Sequence, residues 1–180
     1  ILGVRMLAPH FGSAVYVVTG SVIGTFLLSL SVGYMLGGWR SAQRQSRRNL
    51  GLNIAAAGLW MGLLPWMTEP VCDRIFDLGL DEKWGSLLAA LSLFAVPTVL
   101  LGTVSPTVVR WLTTCSADSG WNAGMVLAAS TVASFAGCVV TAFYLVLYSM
   151  RLTLWISGGA LMLLGTGLAL LPSVWRKQDA

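Results

Sequence analysis

From Ser13 to Gly38 the chain carries no charged side chain over a stretch long enough to cross a bilayer. A run like that has few physical solutions. About 20 mostly apolar residues in a helix span the ~30 Å hydrocarbon core of a membrane. A helix satisfies its backbone N–H and C=O groups within the segment, which hydrocarbon requires because it offers no partner. Four further segments have the same character: Leu50–Met67, Trp84–Val104, Ala123–Tyr148 and Leu152–Leu171. The third can continue to Leu112. The opening stretch, Ile1–Leu7, is also apolar and reads as the end of another helix. The sequence therefore predicts an all-α, polytopic transmembrane helical bundle, one domain over residues 1–180. Five helices are visible, beside an N-terminal helix stub. Completing the stub gives a six-helix, half-transporter-like unit.

Composition argues against a soluble fold. Hydrophobic residues make up 56% of the chain and charged residues 10%, against about 25% charged in a soluble domain. A soluble chain of 180 residues could not hide this much apolar surface. Glycine and tryptophan are both frequent. The first is common in membrane helices and the second at membrane interfaces. Tyr16 and Tyr34, near the ends of the first segment, fit such an aromatic belt.

The connecting stretches differ in charge. Trp39–Asn49 holds four arginines (Arg40, Arg44, Arg47 and Arg48) and no acid. Thr68–Lys83 holds five acids against Arg74 and Lys83. Short arginine-rich loops stay in the cytoplasm. That rule places the first stretch inside and the second outside, as a loop in which Glu69 is a solvated acid. Val71, Ile75 and Leu78 in that loop have helical spacing, which predicts a short helix within it. Alternation then puts Arg110 and Thr113–Trp121 inside, Ser149–Arg151 outside, and Arg176, Lys177 and Ala180 inside. The expected location is a bacterial inner membrane with a cytoplasmic C-terminus. Arg151 is the exception to the charge pattern.

Small residues recur four apart. Gly20 and Gly24, Gly33 and Gly37, and Gly58 and Gly62 form G-x-x-x-G pairs. Ala129, Ala133 and Gly137 make a stripe beside Ser130, Ser134 and Cys138. Lipid supplies no hydrophobic drive between helices, so small residues that permit close approach mark helix interfaces. These glycines predict packing within the bundle or against a partner. Cys138 reads as a small helix-packing residue. Pro97 and Pro106 remove backbone donors and should kink or end the third segment, unless neighbouring helices satisfy the freed carbonyls.

Several function classes lack their residues. No acid or base lies at the centre of a span, where pumps and proton-coupled transporters keep theirs. His10 is the only histidine, and Cys72, Cys115 and Cys138 form no C-x-x-C pair, so no zinc site is expected. His10 reads as an interfacial polar residue, with a pigment or haem ligand as the sharper alternative. Nucleotide-loop, metalloprotease and serine-hydrolase motifs are missing. No organised base-reading surface accompanies the +4 net charge, so no nucleic-acid partner is expected. Arg110 reads as a snorkelling residue at the inner interface, with a docking or gating charge as the alternative.

Four motifs carry a family resemblance. Arg5, Leu7, Ala8, Pro9, Phe11 and Gly12 match an R-x-L-A-P-x-F-G segment. Gly33, Tyr34, Leu36, Gly37 and Gly38 match G-Y-x-L-G-G. Gly102, Ser105, Pro106 and Arg110 match L-G-x-x-S-P-x-x-x-R-L. Ser130, Thr131, Ser134, Gly137, Thr141 and Phe143 match a serine- and threonine-rich helix. Together they resemble the membrane domain of the fused major-facilitator-like spermidine synthases. Ala133 and Cys138 replace that family's Gly and Thr, and the loop after Gly38 lacks its Asp. The resemblance implies an aminopropyltransferase-like cytoplasmic domain as a partner, which this sequence does not contain.

The leading expectation is a non-catalytic membrane module that anchors or scaffolds such a domain or a larger membrane complex, with no cofactor and no small-molecule substrate. Arg40, Arg44, Arg47, Arg48 and Arg110 are its candidate inner-face docking residues. One alternative is a transporter-like half that moves a polyamine or small cation. A polyamine site would call for buried acids or an aromatic cage, and the acids lie in loops. The other alternative is an accessory subunit of a pigment or electron-transfer complex.

Overall fold

The computed structural model describes residues 2–11, 15–43, 47–79, 81–113 and 119–170. Gly12, Arg44, Cys115, Arg176, Lys177 and Ala180 lie outside the described residues. Those described form seven α-helices and no strand. They are α1 (Leu2–Phe11), α2 (Val15–Gln43), α3 (Arg47–Asp77), α4 (Glu82–Gly102), α5 (Val104–Leu112), α6 (Ser119–Phe143) and α7 (Met150–Leu170). A 3₁₀ turn covers Leu145–Leu147. Five stretches are long and apolar enough to cross a membrane: α2, α3, α4 together with α5, α6 and α7. The chain is an integral membrane protein of the all-helical kind.

The large exposed side chains follow from that setting. Ile23, Leu27 and Met35 on α2, and Leu163 and Leu164 on α7, face outward, where lipid is the solvent. Exposed aromatic residues mark the helix ends. Tyr16 and Trp39 bracket α2, and Trp121 and Tyr144 bracket α6. Both pairs have the same sequence separation, about 35 Å of helix at ~1.5 Å per residue. That length matches a hydrocarbon core plus its interfaces.

Side-by-side contacts fix the helix directions. Ser21 on α2 hydrogen-bonds Ser86 on α4 at 3.0 Å, and further along Gly33 meets Gly102, so α2 and α4 run parallel. Trp60 reaches Leu93 and Asn53 reaches Thr103, so α3 runs against α4. Gly51 meets Gly165 and Gly58 meets Gly158, so α3 also runs against α7. The resulting row is α2, α4, α3, α7. Its core is Leu7 of α1, Val18 and Val22 of α2, Leu64 of α3, and Ala89, Ala90, Leu93 and Phe94 of α4. Phe26 stacks on Phe94 with ring centroids 5.6 Å apart.

The acidic stretch after Met67 is helical, as the spacing of Val71 and Ile75 indicates, but it continues α3 instead of forming a separate short helix in a loop. α3 continues through Pro65 and Pro70 to Asp77. Cys72 and Ile75 are buried and Val71 is half-buried, so one face of the extension still packs. Glu69 is part of this helix and binds Arg151, with Nη2 of Arg151 donating to Oε1 at 2.9 Å. That ion pair accounts for the arginine that broke the charge pattern. It is exposed on both sides, so it contributes little. Gly79 then closes the helix at φ 65, the left-handed region that glycine enters without steric cost. Its N–H donates to the Phe76 carbonyl at 3.0 Å.

The third predicted span divides at Thr103 into α4 and α5. Pro97 stays inside α4, and Pro106 sits in the first turn of α5, where a missing N–H matters least. The fourth span stops at Phe143 rather than Tyr148.

Candidate functional site

The break at Thr103 creates the most distinctive part of the molecule. Thr103 donates from Oγ1 to the Leu100 carbonyl at 2.7 Å and accepts from Nδ2 of Asn53 at 3.2 Å. Its own carbonyl accepts from Thr107 Oγ1 at 2.7 Å. These bonds satisfy backbone groups that a helix break would strand in hydrocarbon. α2 lies directly on the junction. A Cβ placed on Gly37 would sit 2.7 Å from the Thr103 Cα and 2.7 Å from the Pro106 Cγ.

Beyond the junction α5 continues for nine residues, and α6 is the next described helix. Thr113 closes α5, with its N–H donating to the Val109 carbonyl at 3.0 Å. Asn122 Nδ2 then donates to the Leu112 carbonyl at 3.0 Å, tying the start of α6 to the end of α5. An open cleft of about 490 Å³ lies between α2, α5 and α6. α2 contributes Tyr34, Gly38 and Ser41, and α5 contributes Ser105, Pro106, Val109 and Arg110. Thr113 follows, and α6 supplies Ser119, Ala123 and Leu127. The wall is apolar, the polar groups are mainly hydroxyls, and Arg110 is the cation. No described carboxylate, histidine or cysteine lines the cleft. No group of three metal-ligating side chains occurs among the described residues. The cleft offers the chemistry of binding and orientation.

Among the described residues, α6 makes its main contacts with α5 and with the turn that follows it. None of its residues is buried, and every residue from Leu127 to Val140 is exposed. That covers about 20 Å of helix at ~1.5 Å per residue. Among the described residues no helix buries Ala129, Ala133 or Gly137. Cys138, expected to pack within the bundle, is exposed as well.

The other sequence candidates separate in the same way. Gly33, Gly37 and Gly58 sit in helix contacts, where an added Cβ would strike backbone. Gly62 lends its backbone nitrogen and Cα to the contact with Gly158, although its own Cβ direction is open. Gly20, Gly24 and Gly137 point to open space. Arg40 and Arg48 are exposed, Arg47 is half-buried, and Arg110 is exposed at the cleft. The backbone of His10 lies in α1.

Sequence reasoning missed Gly51, Gly158 and Gly165 and took Gly102 only as a motif residue, although all four lie in helix contacts. Gly51 and Gly58 are seven apart, as are Gly158 and Gly165. That two-turn spacing is a signal a search for pairs four apart passes over. Asn53 and Trp60 were missed too, and neither stands out without knowledge of its partner on α4.

Fold and site together define the class, an integral membrane helical bundle with a cleft at its arginine-bearing end and a helix, α6, exposed along most of its length. No family model, curated protein or solved structure matches the chain.

Proposed function

We propose that this chain is a non-catalytic membrane module that anchors a partner, and that α6 receives a transmembrane helix of that partner. The carrying observation is the exposure of α6 from Leu127 to Val140. Elsewhere the chain uses small residues for close helix contact, with Gly51 and Gly58 against Gly165 and Gly158. α6 carries the same device at Ala129, Ala133 and Gly137, and no described residue buries it. Lipid gains little from a face shaped for close approach, whereas a helix gains packing and weak hydrogen bonding.

In this reading the arginine-bearing end is cytoplasmic. The resemblance to fused spermidine synthase membrane domains supplies the class of complex: a membrane bundle serving a cytoplasmic aminopropyltransferase-like domain. Arg40, Arg47 and Arg48 lie at the end such a domain would approach.

Photo-crosslinking in native membranes tests the proposal. A photoreactive residue at position 133 should give one discrete protein adduct. The same residue in place of Leu163, an exposed α7 position, should give only lipid adducts. Gly137→Leu should abolish the first adduct while leaving the bundle folded, because its Cβ meets nothing within 4 Å. Lipid adducts alone at both positions would remove the proposal.

A further inference from the structure

We infer that the cleft between α2, α5 and α6 is a binding site for an anionic phospholipid, with Arg110 pairing with the headgroup phosphate. The chemistry of the wall points to an amphiphile. Pro106, Val109 and Leu127 give it an apolar side, while Ser105, Ser119 and Arg110 bring polar and cationic groups to the same space. Leu127 lies about 12 Å along α6 from Ser119, at ~1.5 Å per residue. The cleft therefore runs from the interface into the hydrocarbon layer. A headgroup at Arg110 would leave the first acyl carbons against the apolar side, and the open mouth lets the chains continue into the bilayer.

Charge selects the sign of the ligand. Arg151 at the opposite end has Glu69 as its counter-ion. Arg110 has no carboxylate within ion-pair distance among the described residues, and Asp118, next to Ser119, lies outside them. Arg40, Arg47 and Arg48 do not line the cleft, which leaves Arg110 as its cation among the described residues. Arginine also suits a phosphate geometrically, since its planar fork donates two parallel hydrogen bonds to phosphate oxygens. Basic pockets between membrane helices are sites where anionic headgroups bind. A free phosphate would use the cation but not the apolar wall, so the lipid is the better match.

The full chain purified in a maltoside detergent provides the test, read by native mass spectrometry and by thermal melting. Phosphatidylglycerol, phosphatidylcholine and inorganic phosphate are added separately. The wild-type protein should retain phosphatidylglycerol, with clear preference over phosphatidylcholine. Arg110→Ala should weaken that binding about tenfold, the scale of one charge-assisted contact. Arg48→Ala removes a charge outside the cleft and should change binding by less than about twofold, in line with weak, screened surface charge. Gly38→Leu should exclude the lipid by filling the cleft, since a Cβ there meets nothing within 4 Å. Equal retention of both lipids would overturn the inference. So would equal protection by inorganic phosphate, or an Arg110→Ala protein that binds like Arg48→Ala.

Discussion

Gly158→Leu should separate α7 from α3 and lower the melting temperature of the detergent-solubilised protein by roughly 6–12 °C. A Cβ on Gly158 would lie 2.8 Å from the Gly58 carbonyl oxygen and 2.8 Å from the Gly62 backbone nitrogen. Rotamer changes offer no escape, because Cβ is fixed by the backbone and both obstacles are backbone atoms. The helices must move apart along their shared length, and the Gly51–Gly165 contact opens with them. Overpacking costs about 1–3 kcal/mol, and this site belongs at the upper end. Each kcal/mol shifts the melting point of a chain this size by about 2–4 °C. Far-UV helicity should be retained, since membrane helices form before they associate. Gly20→Leu is the matched control and should melt with the wild type, because its added Cβ meets nothing within 4 Å. An unshifted Gly158→Leu would mean that α3 and α7 do not touch as described.

The second large effect concerns one carbonyl. Pro97 lies four residues after Leu93 in α4 and has no N–H, so the Leu93 carbonyl loses its helical donor. Trp60 on α3 supplies the replacement, with Nε1 donating to that oxygen at 3.0 Å. Leu93 is 0% exposed, and neither water nor lipid can take the place of the indole. Trp60→Phe keeps the apolar body and removes the donor, at an expected cost of about 1–3 kcal/mol. Typical interhelical hydrogen bonds in membranes contribute only ~0.6 kcal/mol, because the separated helices find other partners. The proline removes the nearest such partner here. The decisive comparison is therefore Trp60→Phe in a Pro97→Ala background, where residue 97 donates to Leu93 again. In that background the substitution should cost less than about 0.5 kcal/mol, the scale of an uncoupled change. Equal costs in the two backgrounds would disprove the coupling.

Much of the architecture was legible because a bilayer allows few answers. Long uncharged stretches such as Ser13–Gly38 and Leu152–Leu171 could only be helices, and α2 and α7 follow them within a few residues. The prolines were legible in part. A donor-less residue inside a span calls for a neighbour's help, and that neighbour is Trp60. The sequence could not name it, because tryptophan also serves as an interface anchor, as Trp39 and Trp121 do. The acidic stretch was legible in part: the spacing of Val71 and Ile75 pointed to a short helix, but charge density set that helix in a loop apart from α3. Pro70 and Glu69 sit on an α3 extension that still buries Cys72 and Ile75, so packing of one face outweighed the polarity of the other.

The small-residue pairs were the least decidable. Every G-x-x-x-G pair permits close approach, but only the arrangement of the helices determines which glycines face a neighbour. Gly33 and Gly37 do, and Gly20 and Gly24 do not. The unburied state of α6 was not legible for the same reason. It is a tertiary property with no local signature in Ala129, Ala133 or Gly137.

Helices that cross a membrane put the arginine-bearing and acidic ends of this bundle on opposite sides. Cysteine labelling tests this directly. Starting from a version lacking Cys72, Cys115 and Cys138, single cysteines replace Asp77, Arg48 and Leu27, and a membrane-impermeant maleimide is applied to intact cells. The prediction is that one of Asp77→Cys and Arg48→Cys reacts at once and the other only after the membrane is opened. Leu27→Cys, though 63% exposed in the fold, should resist the reagent in both conditions because lipid covers it. Labelling of both ends from the same side, or rapid labelling of Leu27→Cys from water, would contradict the account.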